Sequence, residues 1–240
     1  MGNMYLWGNI SNYVVTYYHY KGDENATLNL ANLLVPISIT IQVFANPIGA
    51  FLVNIYSPKF LLFIGVSIMC SSILAASYMA TWNAFMLCYG IGFPLGIGTC
   101  YWVPIMCGWE WFPNNKGFIT GLILCGYGFG AFIFGFITTS IANPENLKVE
   151  VPEDGSGDTD KLFPESVGLQ VPYMFRFCLV IWAILGLLSV LGVSRNPSFV
   201  NSEKVRIRDK LIQRTTETTE QSDDLKHINF IGFKEGLLTH

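Results

Sequence analysis

The sequence predicts an all-α membrane protein built as a six-helix bundle, and three observations carry that reading. Hydrophobic residues make up 51% of the 240 residues and charged residues only 13%, where a soluble domain carries roughly 25% charge. The apolar residues fall in runs: 30–56, 60–79, 82–108, 117–142 and 173–193 contain no Asp, Glu, Lys, Arg or His except Arg176, with Glu110 just past the third run. A run of about 20 apolar residues crosses a bilayer as a helix. Finally, charge is confined to the links between runs and to a tail, 195–240. These features exclude a soluble globular enzyme, a secreted disulfide scaffold and a nucleic-acid-binding domain. The net charge of −3 agrees with that exclusion.

The first span is the most polar. Residues 1–20 include Asn3, Asn9, Ser11 and Asn12, yet 20 helical residues reach about 30 Å, enough to cross the hydrocarbon core. A polar loop, 21–28, with Asp23 and Glu24, leads into span two. The turn Tyr56-Ser57-Pro58-Lys59 separates spans two and three, and a short link at Ala80 and Thr81 separates three from four. Trp109 to Lys116, with Pro113 and Asn114-Asn115, separates four from five. A longer acidic loop, 143–172, precedes span six, and residues 195–240 form a charged linker or tail. In that tail, 203–214 places Val205, Ile207, Leu211 and Ile212 along one side of a short surface helix, and Phe230 to Leu238 turns apolar again. All six cysteines lie in or at the ends of apolar runs, where free Cys acts as a small hydrophobe.

Basic residues near the span ends set the orientation. Lys59, Lys116, Arg195, Lys204, Arg206, Arg208, Lys210 and Arg214 lie on one side; Lys21, Lys148, Lys161 and Arg176 lie on the other. The first side is expected to be cytoplasmic, with both chain ends there. The sequon Asn25-Ala26-Thr27 then falls in an outer loop, making Asn25 a candidate glycosylation site. The acids Glu145, Glu150, Glu153, Asp154, Asp158, Asp160 and Glu165 fall on the same side.

Inside the spans, glycine is abundant. Span four carries Gly90, Gly92, Pro94, Gly96 and Gly98; span five carries Gly121, Gly126, Gly128, Gly130 and Gly135. No strand precedes these glycines, so a dinucleotide fingerprint is excluded. Close helix packing and easier bending both account for them. Polar residues inside spans need a partner or water. Tyr5, Asn9 and Tyr13 recur at i, i+4, i+8 and share a face, with Thr16 nearby, and Gln42 and Asn46 are i, i+4. Tyr101 and Trp102 follow the glycine run of span four. Hydrogen bonding between helices and the lining of a polar path both fit this set.

Arg176, three residues into span six, is expected to snorkel to the outer interface, with an anion-facing role as the alternative. Glu110, among Trp109, Trp111 and Phe112, reads as a solvated interfacial acid, or as a gating partner of Lys116. His19 stands without metal-ligating neighbours. No paired carboxylates, nucleophile triad, metal cluster or cofactor motif is present, so the sequence reads as a non-enzyme with no cofactor.

Tyr101-Trp-Val-Pro-Ile, then Trp111-Phe-Pro-Asn-Asn-Lys-Gly117-Phe-Ile-Thr-Gly121, then Gly126-Tyr-Gly-Phe-Gly-Ala131 resembles the major facilitator superfamily, in its branch of monocarboxylate porters and oxalate/formate antiporters. Gly2-Asn-Met-Tyr5-Leu-Trp7-Gly8 is similar to the same branch. The turn after span two is a worn version of that superfamily's loop motif: Lys59 stands at the basic position, but Ile55 replaces the usual Arg and Ser57 the usual Gly. The resemblance covers the first six-helix half of a twelve-helix fold, whose substrate-gripping cations lie largely in the second half. It implies a secondary transporter of small organic anions working by alternating access. Tyr5, Asn9, Tyr13, Gln42, Asn46, Tyr101, Trp102 and Arg176 would be path candidates, and Lys59, Glu110 and Lys116 gating residues. Gly92, Pro94, Gly96, Gly121, Gly126, Gly128 and Gly130 would be hinge or packing positions. The implied partners are the lipid bilayer, a small organic anion, a proton if transport is coupled, and a second six-helix half or a second copy of the chain. The alternative is a half-length membrane subunit with a structural or regulatory role.

Overall fold

The computed structural model describes residues 6–150, 162–202, 205, 206 and 208–210. Tyr5, Lys161, Lys204, Arg214, most of the acidic stretch of the outer loop, and the apolar 230–238 segment lie outside them; so does most of the expected tail helix. By its contacts the chain divides into two units, Met1–Ser194 and Arg195–His240. In the second, 197–202 is helical. The first unit is described here.

Its helices are α1 (Trp7–Tyr20), α2 (Leu28–Ile55), α3 (Pro58–Ala76), α4 (Trp82–Trp111), α5 (Lys116–Ala142) and α6 (Val171–Gly192). No strand occurs among the described residues, apart from one isolated antiparallel bridge between Glu150 and Leu162. Five segments are long and apolar enough to cross a membrane: 28–55, 58–76, 82–111, 113–142 and 165–192. The protein is therefore an all-α, multi-pass membrane protein. The described part of α1 has 14 residues, about 21 Å of helix; residues 1–5 of the expected first span lie outside the described residues.

Helix boundaries follow local chemistry. Thr27 caps α2, its hydroxyl accepting the Leu30 N–H at 3.3 Å. Ser57 caps α3 in the same way, accepting from Phe60, with Pro58 at the first helical position. A cap is what a Ser at this turn provides and a Gly would not.

α4 is not one uniform helix. It runs as α-helix to Leu87, makes a π-turn over Cys88–Gly92, and resumes as α-helix at Phe93. Pro94 has no N–H to offer the carbonyl four residues back, that of Gly90. The Ser38 hydroxyl of α2 donates to that carbonyl instead, at 3.2 Å.

The core lies where α1 docks on α4. Trp82, Phe85, Tyr89 and Phe93 form a continuous ladder, with successive ring centroids 5.9, 5.4 and 5.2 Å apart. Trp7 packs on Tyr89 at 5.3 Å, and its indole N–H donates to the Ala31 carbonyl at 2.9 Å. Tyr18 closes the Trp82 end of the ladder and donates to the Met79 carbonyl. Such aromatic contacts are each worth about 0.5–1.5 kcal/mol beyond area burial.

Candidate functional site

The site region is built where α1, α2 and α5 meet α4. Glycine allows the approach of α2 and α3 to α4. A Cβ on Gly49 of α2 would lie 2.5 Å from the Gly98 carbonyl oxygen and 2.6 Å from that of Thr99. On Gly96 it would lie 2.7 Å from the Gly65 carbonyl of α3 and 2.8 Å from the Met69 nitrogen. Gly98 abuts the Ala45 side chain, and Gly92 abuts the Ser72 hydroxyl. At Gly49 and Gly96 these are backbone-to-backbone approaches that only glycine admits.

The expected packing does not extend to α5. A Cβ on Gly121, Gly126, Gly128 or Gly130 would meet nothing within 4 Å, and the same holds for Gly117. The reason is geometric: the residues that α5 buries, Phe134, Gly135, Thr138 and Ala142, all fall in its C-terminal third. The described chain puts no helix against the other glycines.

The polar candidates separate in the same way. Asn9 is exposed on α1, and its amide nitrogen would lie 3.1 Å from a Cβ on Gly135, so Asn9 marks the α1–α5 crossing. Tyr13 is buried. Its ring lies 4.7 Å from that of Phe163, whose backbone N–H donates to the Thr16 hydroxyl at 3.1 Å. The Asn9–Tyr13–Thr16 face is thus covered at its C-terminal end by the segment that leads into α6. Gln42 and Asn46 are half-buried on α2; the Gln42 carbonyl faces Gly98, and the Asn46 side-chain oxygen is buried without a hydrogen-bond donor. Tyr101 reaches α5, its ring 5.7 Å from Tyr127, while Trp102 packs on Tyr101 and on Trp109. Tyr5 lies outside the described residues.

At the C-terminal end of α4, Glu110 is 8% exposed rather than solvated. α4 continues helical to Trp111, three residues past the apolar run, and this turns Glu110 inward. The Lys116 ammonium sits over the Trp109 ring at 5.9 Å, and Trp109 donates to the Thr120 hydroxyl. Lys59 is exposed on the first turn of α3. At the opposite end, Arg176 is exposed and stacks over the Tyr78 ring at 4.2 Å, apart from Asn9, Gln42 and Asn46.

Asn25 is exposed, and its backbone and side-chain N–H groups both donate to one Asp23 oxygen at 3.1 Å. The other Asp23 oxygen accepts the Trp82 N–H at 2.6 Å, capping α4 from a loop 59 residues away. Partial burial pushes the Asp23 pKa up. The N–H donors of Trp82 and Asn25 outweigh it and hold the carboxyl below its ordinary value.

Sequence reasoning passed over three features: the Trp82-Phe85-Tyr89-Phe93 ladder, the Phe163 strap and Asp23 as a cap. The ladder was visible as aromatic residues at i+3 and i+4 spacing. The other two join segments distant in sequence and leave no local signal.

An all-α, multi-pass bundle with polar residues at its helix crossings defines a class of membrane protein. Two known proteins are similar to the chain. The chain is 24% identical over 229 residues to apicoplast pyruvate carrier 1 of Toxoplasma gondii, covering 77% of this chain and 41% of that protein. It is 24% identical over 151 residues to probable transporter MCH2 of Saccharomyces cerevisiae, covering 61% of this chain and 32% of that one. The chain thus spans about two-fifths and one-third of the curated relatives it matches. No protein-family profile matches it, and no solved structure does.

Proposed function

We propose that this chain is the front half of a secondary transporter that carries small organic monocarboxylate anions by alternating access. The observation that carries the reading is its similarity, over most of its own length, to one protein named as a pyruvate carrier and another named as a probable transporter. Pyruvate is a monocarboxylate, the substrate class implied by the facilitator-type motif around Trp111 to Gly121. Secondary transporters bind substrate near the midplane between two helical halves that rock about it.

In this reading Asn9, Gln42, Asn46 and Tyr101 line this half's share of the path, and Tyr13 joins them when Phe163 withdraws. Both chain ends lie in the cytoplasm, with Asn25 outside. The open glycines of α5 receive the facing half or a second copy of the chain. The cation that grips the carboxylate, and any proton carrier, would come from that facing half. A second reading, a half-length structural or regulatory subunit, is favoured by the departures at Ile55 and Ser57 from the loop motif.

Uptake into proteoliposomes separates the two. The protein purified from its own membrane is reconstituted and offered labelled pyruvate, lactate, formate and oxalate. Saturable uptake of at least one is expected, and Asn46→Leu lowers it. Failure to move any of the four would overturn the transport reading and leave the subunit reading in place.

A further inference from the structure

Arg176 is the one basic residue inside the five apolar runs, and the transport reading leaves it unused. It is the sixth of the 22 residues of α6, about 8 Å along the axis from Val171. Its side chain is exposed on the surface of the bundle, not enclosed between helices. A charge on the flank of a spanning helix needs an opposite charge or water. Among the described residues the guanidinium meets the Tyr78 ring, 4.2 Å from its centroid, and no carboxylate pairs with it.

That contact leaves the recognition edge free. A ring occupies one face of the planar guanidinium, whereas the N–H donors point outward in its plane. Two of them form a fork that matches two oxygens of a phosphate. Tyr78 is itself 64% exposed, so the pair stands open. Further along the same flank α6 is apolar and bare. Phe177, Val180, Ile184 and Leu188 recur at i, i+3, i+7 and i+11 and are all exposed, over about 17 Å of helix. One turn the other way, Tyr173 is exposed, its ring 6.4 Å from Phe177. The spanning segment runs 165–192, so Tyr173 and Arg176 stand near one of its ends. There phenol rings sit at headgroup level and an Arg side chain extends toward the polar layer. The order along the flank is phenol, cation, then hydrocarbon, the order of a phospholipid from headgroup to acyl chain.

We infer that Arg176, braced by Tyr78, binds the phosphate of a phospholipid with a net negative headgroup, whose acyl chain lies along Phe177 to Leu188. Phosphatidylcholine carries its own ammonium group beside the phosphate, which shares that charge; phosphatidylglycerol carries none and leaves it to the guanidinium. The site is apart from Asn9, Gln42 and Asn46 and does not rest on the transport reading.

Native mass spectrometry of the detergent-purified protein tests this, with phosphatidylglycerol and phosphatidylcholine of identical acyl chains added as an equal mixture. One phosphatidylglycerol per chain is expected to be retained, about fivefold over phosphatidylcholine. Arg176→Gln erases that preference and leaves the retention common to both lipids. Lys21→Gln is the control: Lys21 also lies over a tyrosine ring, that of Tyr17 at 4.6 Å, but in the loop after α1, and its loss leaves the preference intact. Tyr78→Leu keeps the charge without its brace and lowers the preference about twofold; it decides if Arg176→Gln fails to fold. A preference that survives Arg176→Gln, or that Lys21→Gln removes, overturns the inference. Displacement of the lipid by an equal concentration of glycerol phosphate, which has no acyl chain, also overturns it and makes the site one for a soluble anion. No readout involves uptake, so failure of the transport reading leaves this site standing.

Discussion

α4 and α5 are both glycine-rich, aromatic-rich apolar helices of similar length, yet the chain treats them oppositely. α4 is held on three sides: Gly98 meets α2, Gly96 meets α3, and the aromatic ladder meets α1. Its N-terminal end is capped by Asp23 from a distant loop. α5 begins after Pro113–Asn115 with no side-chain cap, and four of its inner glycines face open space. The composition of a span therefore tells that close approach is available, not that it is used. The partner decides, and among the glycines of α5 the described chain brings a partner close to Gly135 alone.

That contrast can be broken in four ways. The largest effect is expected from Gly96→Leu, whose Cβ would press on the Gly65 carbonyl and the Met69 nitrogen, backbone atoms that cannot yield. The loss should exceed about 3 kcal/mol, read as disappearance of the monodisperse peak in size-exclusion chromatography. Next comes thiol access. Cys125 on α5 is exposed and Cys100 on α4 is buried, so N-ethylmaleimide in detergent should modify Cys125 readily and leave Cys100 intact until unfolding. Protection of Cys125 in the native membrane would show that another chain or half covers α5.

A smaller effect is expected at Asp23. Its folded-state pKa is lowered, so its contribution is fully present above the ordinary carboxylate pKa. It is lost as the pH falls through the lower, folded value. Asp23→Ala removes the acceptor for the Trp82 N–H and should cost about 1 kcal/mol of thermal stability at neutral pH. It should also flatten the acid limb of the melting curve; an unchanged acid limb would rule Asp23 out as its source. The smallest effect is expected from Gly121→Leu, within about 0.5 kcal/mol. A loss as large as that of Gly96→Leu would mean α5 is packed as tightly as α4.

The fold class was legible because hydropathy is a property of the chain in one dimension. The expected run 82–108 and the observed Trp82–Trp111 start together; 30–56 stands against Leu28–Ile55, and 117–142 against Lys116–Ala142. The three extra residues of α4 matter, because they carry Glu110 into the interior, where its interfacial aromatic neighbours had suggested water. The candidate path was legible only as residue types. Asn9 and Tyr13 share a helical face by spacing, but Phe163 covers one and not the other, and no spacing rule reaches across 150 residues of chain. The glycine runs of α4 and α5 looked alike for the same reason: what a missing Cβ admits depends on a neighbour that local sequence does not name.

The π-turn at Cys88–Gly92 acts as a phase shifter. An extra residue in one turn rotates everything downstream by about 100° relative to an unbroken helix. Above it, Trp82 and Phe85 address α1; below it, Gly96 and Gly98 address α3 and α2. Neither assignment is independent of the other, because the offset between them is set by a single residue. Deleting Ile91 would leave both contact sets chemically intact and still set them out of step. A register of that kind keeps a bundle to one arrangement, since no smooth sliding of α4 can satisfy its two ends in turn.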